Sequence, residues 1–127
     1  MKRYLGIDFG TKRIGLALGD SVTKLAMPFK VVADLSEVVL IVKDEGIDKI
    51  IVGLPHGLKG NRGQMVEKVE VFIEQLRDLV LSPIETVDER LSSKAGDALI
   101  GGRKDKAPRD AIAAMLILQS YFDKGLD

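Results

Sequence analysis

The chain has 127 residues, of which 46% are hydrophobic and 30% charged, and its 19 basic side chains balance its 19 acidic ones. This length predicts one domain, residues 1–127, with a full hydrophobic core. The absence of cysteine excludes disulfides, zinc–thiolate sites and cysteine nucleophiles, and a single histidine, His56, excludes a two-histidine metal site. No apolar run approaches the ~20 residues of a membrane span, and the N-terminus lacks a signal-peptide pattern. We therefore expect a cytoplasmic protein that does not contact membranes.

The net charge of zero gives no overall sign of nucleic-acid binding, but the basic side chains are unevenly distributed. Many fall in predicted loops or at the ends of predicted elements, so a neutral chain can still present one basic face. For any single one of them, a solvated loop charge is the ordinary alternative to a phosphate contact. The candidates for phosphate contacts are Lys12, Arg13, Arg62, Arg90, Arg103, Lys104 and Arg109.

The first half of the chain predicts three strands, a helix and a fourth strand. Two short apolar runs, 3–8 and 14–19, flank a Gly-Thr-Lys-Arg turn and predict a β-hairpin. A third strand, 29–32, is expected after a loop that contains Pro28. The capping-box pattern Asp34 to Glu37 begins a helix that Gly46 ends, and the nearly uninterrupted apolar run 49–54 is typical of a central parallel strand.

The second half predicts helices alternating with one more strand. An amphipathic helix follows the polar loop 57–63, a strand covers 84–87, and Ser92 or Ser93 can cap a short helix through Leu99. After Pro108, a helix over 110–122 is apolar almost all round, which predicts that it is buried. The apolar stripe of the first of these helices consists of Met65, Val69, Phe72, Ile73, Leu76 and Leu79.

This order of elements predicts an α/β fold with a mixed five-stranded sheet. Three antiparallel strands come first, two parallel strands follow, and helices cover both faces. No internal repeat, linker or low-complexity segment divides the chain.

An aspartate in the first strand is the most unusual residue in the sequence. Asp8 stands in an apolar run that otherwise predicts a buried strand, where an unpaired charge costs several kcal/mol. A cation or phosphate from outside the chain explains it economically, and a hydrogen bond to the turn that follows is the ordinary alternative. The glycines around it, Gly6, Gly10 and Gly15, permit close approach of backbone or ligand.

Further acids fall at the ends of later elements. Asp88 and Glu89 close the last predicted strand, and Asp110 begins the final helix. If these ends converge on Asp8, they form an oxygen-only site, which suits Mg²⁺ or Mn²⁺. Two such ions about 4 Å apart can activate water and stabilise the leaving oxygen of a phosphodiester.

Each of these later acids also has a structural alternative. Asp88 and Glu89 could pair with Arg90 or cap the next helix. Asp110, two residues after Pro108, stands where any acid is favoured by the helix dipole. It is the joint placement of the acids that favours a metal site.

Four ordered motifs resemble those of the YqgF/RuvX proteins. They are GIDFGTKRIGLA at 6–17, VGLP at 52–55, VDERLSS at 87–93, and DAIAA at 110–114 continued by LQSY at 118–121. The match covers essentially the whole chain. Ser92 and Ser93 stand where the family often has threonines, which preserves the hydroxyls.

The resemblance implies a ribonuclease-H-like fold and a nuclease acting at the 5′ end of precursor 16S rRNA in the bacterial cytoplasm. It maps the family's acidic positions onto Asp8, the Asp88–Glu89 pair and Asp110. We expect Asp8, Glu89 and Asp110 to be catalytic, with Asp88 as a further candidate ligand for Mg²⁺ or Mn²⁺. Strand alternation points Asp88 and Glu89 to opposite sides, and the sequence leaves open which side holds the site.

Other functions stay open on the sequence alone. The same chemistry could resolve four-way DNA junctions, which requires two symmetric cuts and hence a homodimer rather than a monomer. Residues 8–11 also resemble the phosphate loop of actin-like ATPases, but those proteins clasp nucleotide between two such domains. A non-catalytic RNA-binding module would keep the basic loops without needing the carboxylates. The expected partner is therefore structured RNA or branched DNA.

Overall fold

The computed structural model describes residues 1–55, 62–88 and 108–125, which form five strands and three helices. The strands are β1 (Arg3–Phe9), β2 (Ile14–Asp20), β3 (Ala26–Val32), β4 (Lys49–Leu54) and β5 (Ile84–Asp88). The helices are α1 (Leu35–Asp44), α2 (Arg62–Arg77) and α3 (Arg109–Asp123). The short helix expected from Ser92 or Ser93 to Leu99 lies outside these ranges.

The strands form one mixed sheet in the order β3-β2-β1-β4-β5. The first three strands are antiparallel neighbours, and β4 and β5 run parallel to β1. The Gly-Thr-Lys-Arg turn joins β1 directly to β2, whereas the parallel pair β1–β4 requires a longer connection that includes α1. The predicted α/β fold with a mixed five-stranded sheet, three antiparallel strands followed by two parallel ones, is confirmed.

Helices cover both faces of the sheet, as predicted. On one face, α1 and α2 pack against the side chains that alternate from Leu5 to Ile7 in β1 and from Ile50 to Val52 in β4. On the other face, α3 packs against Tyr4, Ile51 and Val87. The part of α3 that makes this second core consists of Ile117, Leu118, Tyr121 and Phe122, all of them buried.

The predicted caps of α1 are present. The Asp34 carboxylate accepts a hydrogen bond from the backbone N–H of Glu37 at 3.1 Å, which satisfies one of the free donors at the helix start. At the other end, Gly46 has a φ of 62°, and the N–H of Ile47 donates to the carbonyl of Val42. This is the hydrogen-bond pattern of a glycine-terminated helix, so Gly46 ends α1 for the reason the sequence indicated.

Two expectations were wrong in detail. Pro28 lies inside β3 rather than in a loop before it, since β3 begins at Ala26. This strand is at the sheet edge and its pairing with β2 shifts register between Leu16 and Ala17, and edge or irregular positions tolerate a residue without an N–H. Leu79 was placed on the buried stripe of α2, but the helix ends at Arg77 and the Leu79 side chain is 56% exposed.

Within the described ranges, no helix combines the length and the hydrophobicity that crossing a bilayer requires.

Candidate functional site

Asp8 lies near the end of β1, on the sheet face that α3 covers. Positions 4, 6 and 8 of β1 share this face because successive residues of a strand point to alternate faces. Tyr4 belongs to the core beneath α3, and a Cβ added at Gly6 would lie 2.8 Å from Cβ of Leu118. The carboxylate of Asp8 is half-buried. The helix therefore passes close to β1 immediately beside the strand position that Asp8 occupies.

A glycine allows the start of α3 to lie next to Asp8. Gly15 of β2 is the ladder partner of Asp8. A Cβ added at Gly15 would overlap the backbone carbonyl of Asp110, so only glycine allows the helix to approach here. This contact places Asp8, from the first strand, and Asp110, from the last helix, on neighbouring positions at one end of the sheet.

Asp110 is ion-paired at the start of α3. Its Oδ2 lies 3.0 Å from Nε of Arg13, which belongs to the turn between β1 and β2. The Asp110 side chain is 34% exposed and that of Arg13 is 72% exposed. Asp110 also lies in the first turn of α3, where a carboxylate interacts favourably with the helix dipole. The structural role considered for this residue is therefore real, and it coexists with its position beside Asp8.

Asp88 lies on the opposite face from Asp8. It ends β5, and its parallel ladder partner is Leu54 of β4, which packs against the core beneath α1 and α2. The preceding residue, Val87, belongs to the core beneath α3. Alternation along β5 thus directs Val87 and Asp88 to different faces. Glu89 is outside the described residues.

On the face that α3 covers, the described residues place two of the expected carboxylates at this end of the sheet, Asp8 and Asp110, whereas Asp88 lies on the opposite face. The described residues contain no complete metal site. Across 1–55, 62–88 and 108–125, no group of three or more histidine, aspartate or glutamate side chains is arranged to hold a metal ion. The donors that are present, the carboxylates of Asp8 and Asp110, are oxygen ligands of the kind that Mg²⁺ and Mn²⁺ prefer. A metal here requires at least one further ligand.

Three of the predicted basic residues surround this end of the sheet. Lys12 and Arg13 are exposed in the turn after β1, and Arg109 is exposed at the first position of α3. Arg62 begins α2, but its side chain is outside the description, as are Arg90, Arg103 and Lys104. The structure therefore brings cationic side chains to both elements that carry the described carboxylates.

An open cleft lies at the same end of the sheet on the other face. It has a volume of about 530 Å³ and lies between the β1–β2 turn, the start of α1 and one side of α2. Its lining includes Phe9, whose ring is 4.7 Å from that of Phe72 between centroids. Consecutive residues at the end of β1 thus face a carboxylate site on one side and an aromatic cleft on the other.

Residues 2–124 match the model of a family described as "RuvX: Holliday junction resolvase". The chain belongs to the RuvX family. It is therefore a nuclease of this family, and the resemblance of its four motifs is confirmed. The nuclease class also fits the oxygen donors and cations found around Asp8.

A full-length relative and two solved structures agree with this assignment. A protein of Endomicrobium trichonymphae named "Putative pre-16S rRNA nuclease" is 36% identical over 135 residues, covering 97% of this chain and 96% of the relative. T. thermophilus RuvC, solved in complex with a Holliday junction substrate, has a TM-score of 0.64 at 15% identity, covering 99% of this chain and 96% of RuvC. The Fowlpox virus resolvase, solved with Holliday junction DNA, has a TM-score of 0.62 at 13% identity and covers 98% and 99%. At these identities the two structures establish the ribonuclease-H-like resolvase fold alone.

Sequence reasoning missed how this RuvX-family protein assembles the site. Close approach was expected at Gly15, but the approaching group, the Asp110 backbone, could not be named from a position 95 residues away. Arg13 and Asp110 were predicted separately as a phosphate contact and a metal ligand, and their ion pair was not foreseen. The available signal was the register of the hairpin, which sets a glycine directly opposite Asp8.

Proposed function

We propose that this RuvX-family chain is a divalent-metal-dependent endonuclease that cleaves structured RNA during 5′-end maturation of precursor 16S rRNA. The observation that carries the proposal is the contact between Gly15 and the backbone of Asp110, which seats one acidic residue beside the strand position of another. The name of the E. trichonymphae relative supports precursor 16S rRNA as the substrate.

The carboxylates fit the metal that such a nuclease uses. Both Asp8 and Asp110 are partly exposed, so an ion can reach them from solvent, and both offer oxygen donors only. Bound at these groups, Mg²⁺ or Mn²⁺ supplies an activated water and charge stabilisation for the leaving oxygen. We propose Asp8, Asp110 and Glu89 as the ligands and catalytic carboxylates.

We choose Glu89 over Asp88 because successive side chains of β5 point to opposite faces of the sheet. Val87 faces α3, the side on which Asp8 lies, whereas Asp88 has the parity of the opposite face. Position 89 has the same parity as Val87, so a continued strand directs Glu89 toward Asp8. Asp88 remains the alternative ligand only if the chain turns at the end of β5.

The basic residues of this end of the protein hold the RNA backbone. Lys12, Arg13 and Arg109 are exposed on the two elements that carry the described carboxylates. Arginine and lysine contacts to phosphate position a nucleic acid without reading its sequence, which suits cleavage directed by RNA structure. We propose that Arg62, Arg90, Arg103 and Lys104 extend this surface.

Cleavage of a precursor 16S rRNA fragment tests the proposal. The wild-type chain is expected to cut the fragment with Mn²⁺, leaving a 5′-phosphate and a 3′-hydroxyl, and to stop when a chelator is added. Asp8→Asn removes a proposed ligand with little change in volume, so its cleavage should fall to the level of the chelated sample. Asp78→Asn, an exposed aspartate just beyond α2, is the matched control and should cut as the wild type does.

Two results contradict the proposal. Equal cleavage by wild type and Asp8→Asn would show that the carboxylate is not part of the site. RNA binding without cleavage under any metal condition would instead favour a non-catalytic RNA-binding module.

Cleavage of four-way DNA junctions is a second candidate function, because the family itself is described as a Holliday junction resolvase family. Two symmetric cuts need two active sites related by a two-fold axis, so this function requires a homodimer. Analytical ultracentrifugation with and without junction DNA separates the two proposals. A chain that stays monomeric on junction DNA while cutting the RNA fragment excludes junction resolution.

A further inference from the structure

The ion pair between Arg13 and Asp110 joins two groups with different expected partners. The guanidinium lies on the turn that follows Asp8, and its Nε is 3.0 Å from Oδ2 of Asp110. One member is expected to bind phosphate and the other to bind a metal ion. In this structure the two groups are paired with each other instead.

A guanidinium on a carboxylate opposes the binding of a second cation there. The positive charge of Arg13 neutralises part of the charge that would attract a divalent ion, and its N–H group uses one of the two oxygens of Asp110. Removing the pair should therefore make Asp110 a better metal ligand.

The pair is also weak enough to exchange. The Arg13 side chain is 72% exposed, and its Nε lies 3.0 Å from the Asp110 carboxylate, which is itself 34% exposed. Exposed ion pairs of this kind contribute little to stability because water screens them and the long side chain loses freedom. Arg13 can thus leave Asp110 at small cost when a better partner arrives.

We propose that Arg13 is a displaceable counter-ion, paired with Asp110 before metal binds and transferred to a phosphate of the nucleic acid afterwards. This inference rests on the proposed metal-dependent function. A phosphate is the better final partner, since the planar guanidinium can bind two of its oxygens at once. Arg13 is in this sense a positioning residue that couples metal entry at Asp110 to contact with the substrate backbone.

Metal affinity measured without nucleic acid tests the first half of the exchange. Isothermal titration of Mn²⁺ into Arg13→Gln should give a dissociation constant about two- to fivefold lower than for the wild-type chain. Arg77→Gln is the matched control, because it removes an exposed guanidinium at the end of α2, on the face of the sheet opposite α3. Its dissociation constant should stay near the wild-type value.

Affinity for RNA tests the second half. With Mn²⁺ present and a labelled RNA hairpin whose phosphorothioate linkages resist cutting, Arg13→Gln should bind the hairpin more weakly than the wild-type chain does. The slope of log affinity against log salt should become shallower by about 0.7–0.9, the loss of one phosphate contact. A metal affinity that is unchanged or lowered in Arg13→Gln, or an unchanged salt slope, overturns the inference.

The two proposals fail in different ways. If the wild-type chain binds no Mn²⁺, both the metal-dependent function and the exchange at Asp110 are wrong. If the wild type and Arg13→Gln bind Mn²⁺ equally, only the exchange is wrong. Arg13 is too exposed for its replacement to unfold the chain, and matching thermal unfolding curves for the variants check this.

Discussion

Gly15 lies directly across the hairpin from Asp8 and directly beneath the carbonyl of Asp110. One residue without a side chain thereby connects the first strand to the start of the last helix. The mutual placement of the two acids depends on the absence of a side chain at this position.

Gly15→Ala should destabilise the fold and impair cleavage together. The added methyl group overlaps backbone, which cannot rotate away, so α3 must shift. Overpacking of this kind costs about 1–3 kcal/mol of unfolding free energy. A shift of about 1 Å at Asp110 should reduce cleavage on the order of 100-fold. Urea unfolding and RNA cleavage measure the two effects.

Gly63→Ala is the control for that substitution. Gly63 lies in α2, and a Cβ added there has no atom within 4 Å. Alanine in a helix is favoured over glycine, so its stability should be unchanged or slightly higher. If Gly15→Ala unfolds at the same urea concentration as Gly63→Ala, the close approach of α3 does not hold in solution.

Binding of Mn²⁺ should stabilise the wild-type chain and not Asp8→Asn. At a free concentration 100 times its dissociation constant, the ion should add about 2.7 kcal/mol to the unfolding free energy, and EDTA should remove that gain. Thermal unfolding at several Mn²⁺ concentrations measures it. Asp78→Asn should gain as much as the wild type, and an equal gain in Asp8→Asn would place the ion elsewhere.

Asp88→Asn and Glu89→Gln should have opposite outcomes. Along β5, Val87 lies on the α3 face and Asp88 on the opposite face, so a strand continued by one residue would direct position 89 to the α3 face. Glu89→Gln should therefore abolish cleavage and Mn²⁺ stabilisation, while Asp88→Asn keeps most of both. The reverse pattern would make Asp88 the ligand and require the chain to change direction at the end of β5.

Lys49 should stabilise the protein up to strongly alkaline pH. Its Nζ lies 2.6 Å from the Glu85 carboxylate and donates a hydrogen bond to the Tyr121 hydroxyl at 2.7 Å. Burial disfavours the charged ammonium, but these two partners outweigh burial and raise the pKa of Lys49 above its ordinary 10.5. The unfolded chain loses this proton first, so the contribution is complete below about pH 10.5 and declines as pH rises beyond it.

Replacement by methionine tests the Lys49 prediction. The difference in unfolding free energy between wild type and Lys49→Met should be about 1–2 kcal/mol at neutral pH and should shrink above about pH 10.5. Lys2→Met, at an exposed position, should show no such pH-dependent difference. A difference that grows with alkaline pH would have the wrong sign for this network.

Much of the fold could be predicted because local patterns and chain geometry agree. The sequence indicates a single structure for each of three segments: the turn after β1, the capped helix α1 and the apolar strand β4. Their order along the chain is compatible with few topologies. Pro28 was expected in a loop before the third strand, but an edge strand tolerates a proline, and the sequence does not show which strand is at the edge. Leu79 was misplaced because an apolar stripe does not mark where a helix ends.

The site was predictable in its chemistry but not in its assembly. A buried-strand aspartate and a carboxylate at a helix start can be recognised one at a time from their settings. Asp8 and Asp110 lie side by side only because Gly15 lets the start of α3 approach the sheet. The ion pair between Arg13 and Asp110 depends on the same approach. Contacts between residues about a hundred positions apart have no periodicity that a single sequence displays.

The position of α3 also links the proposed metal site to the completion of the fold. This helix covers the face of the sheet that carries Tyr4, Ile51 and Val87, and it also brings Asp110. A chain cut off before residue 109 would leave that apolar face open to water and to aggregation, and would lack one carboxylate. A shortened product without α3 would therefore lose the cover of this apolar face and the proposed ligand Asp110 together.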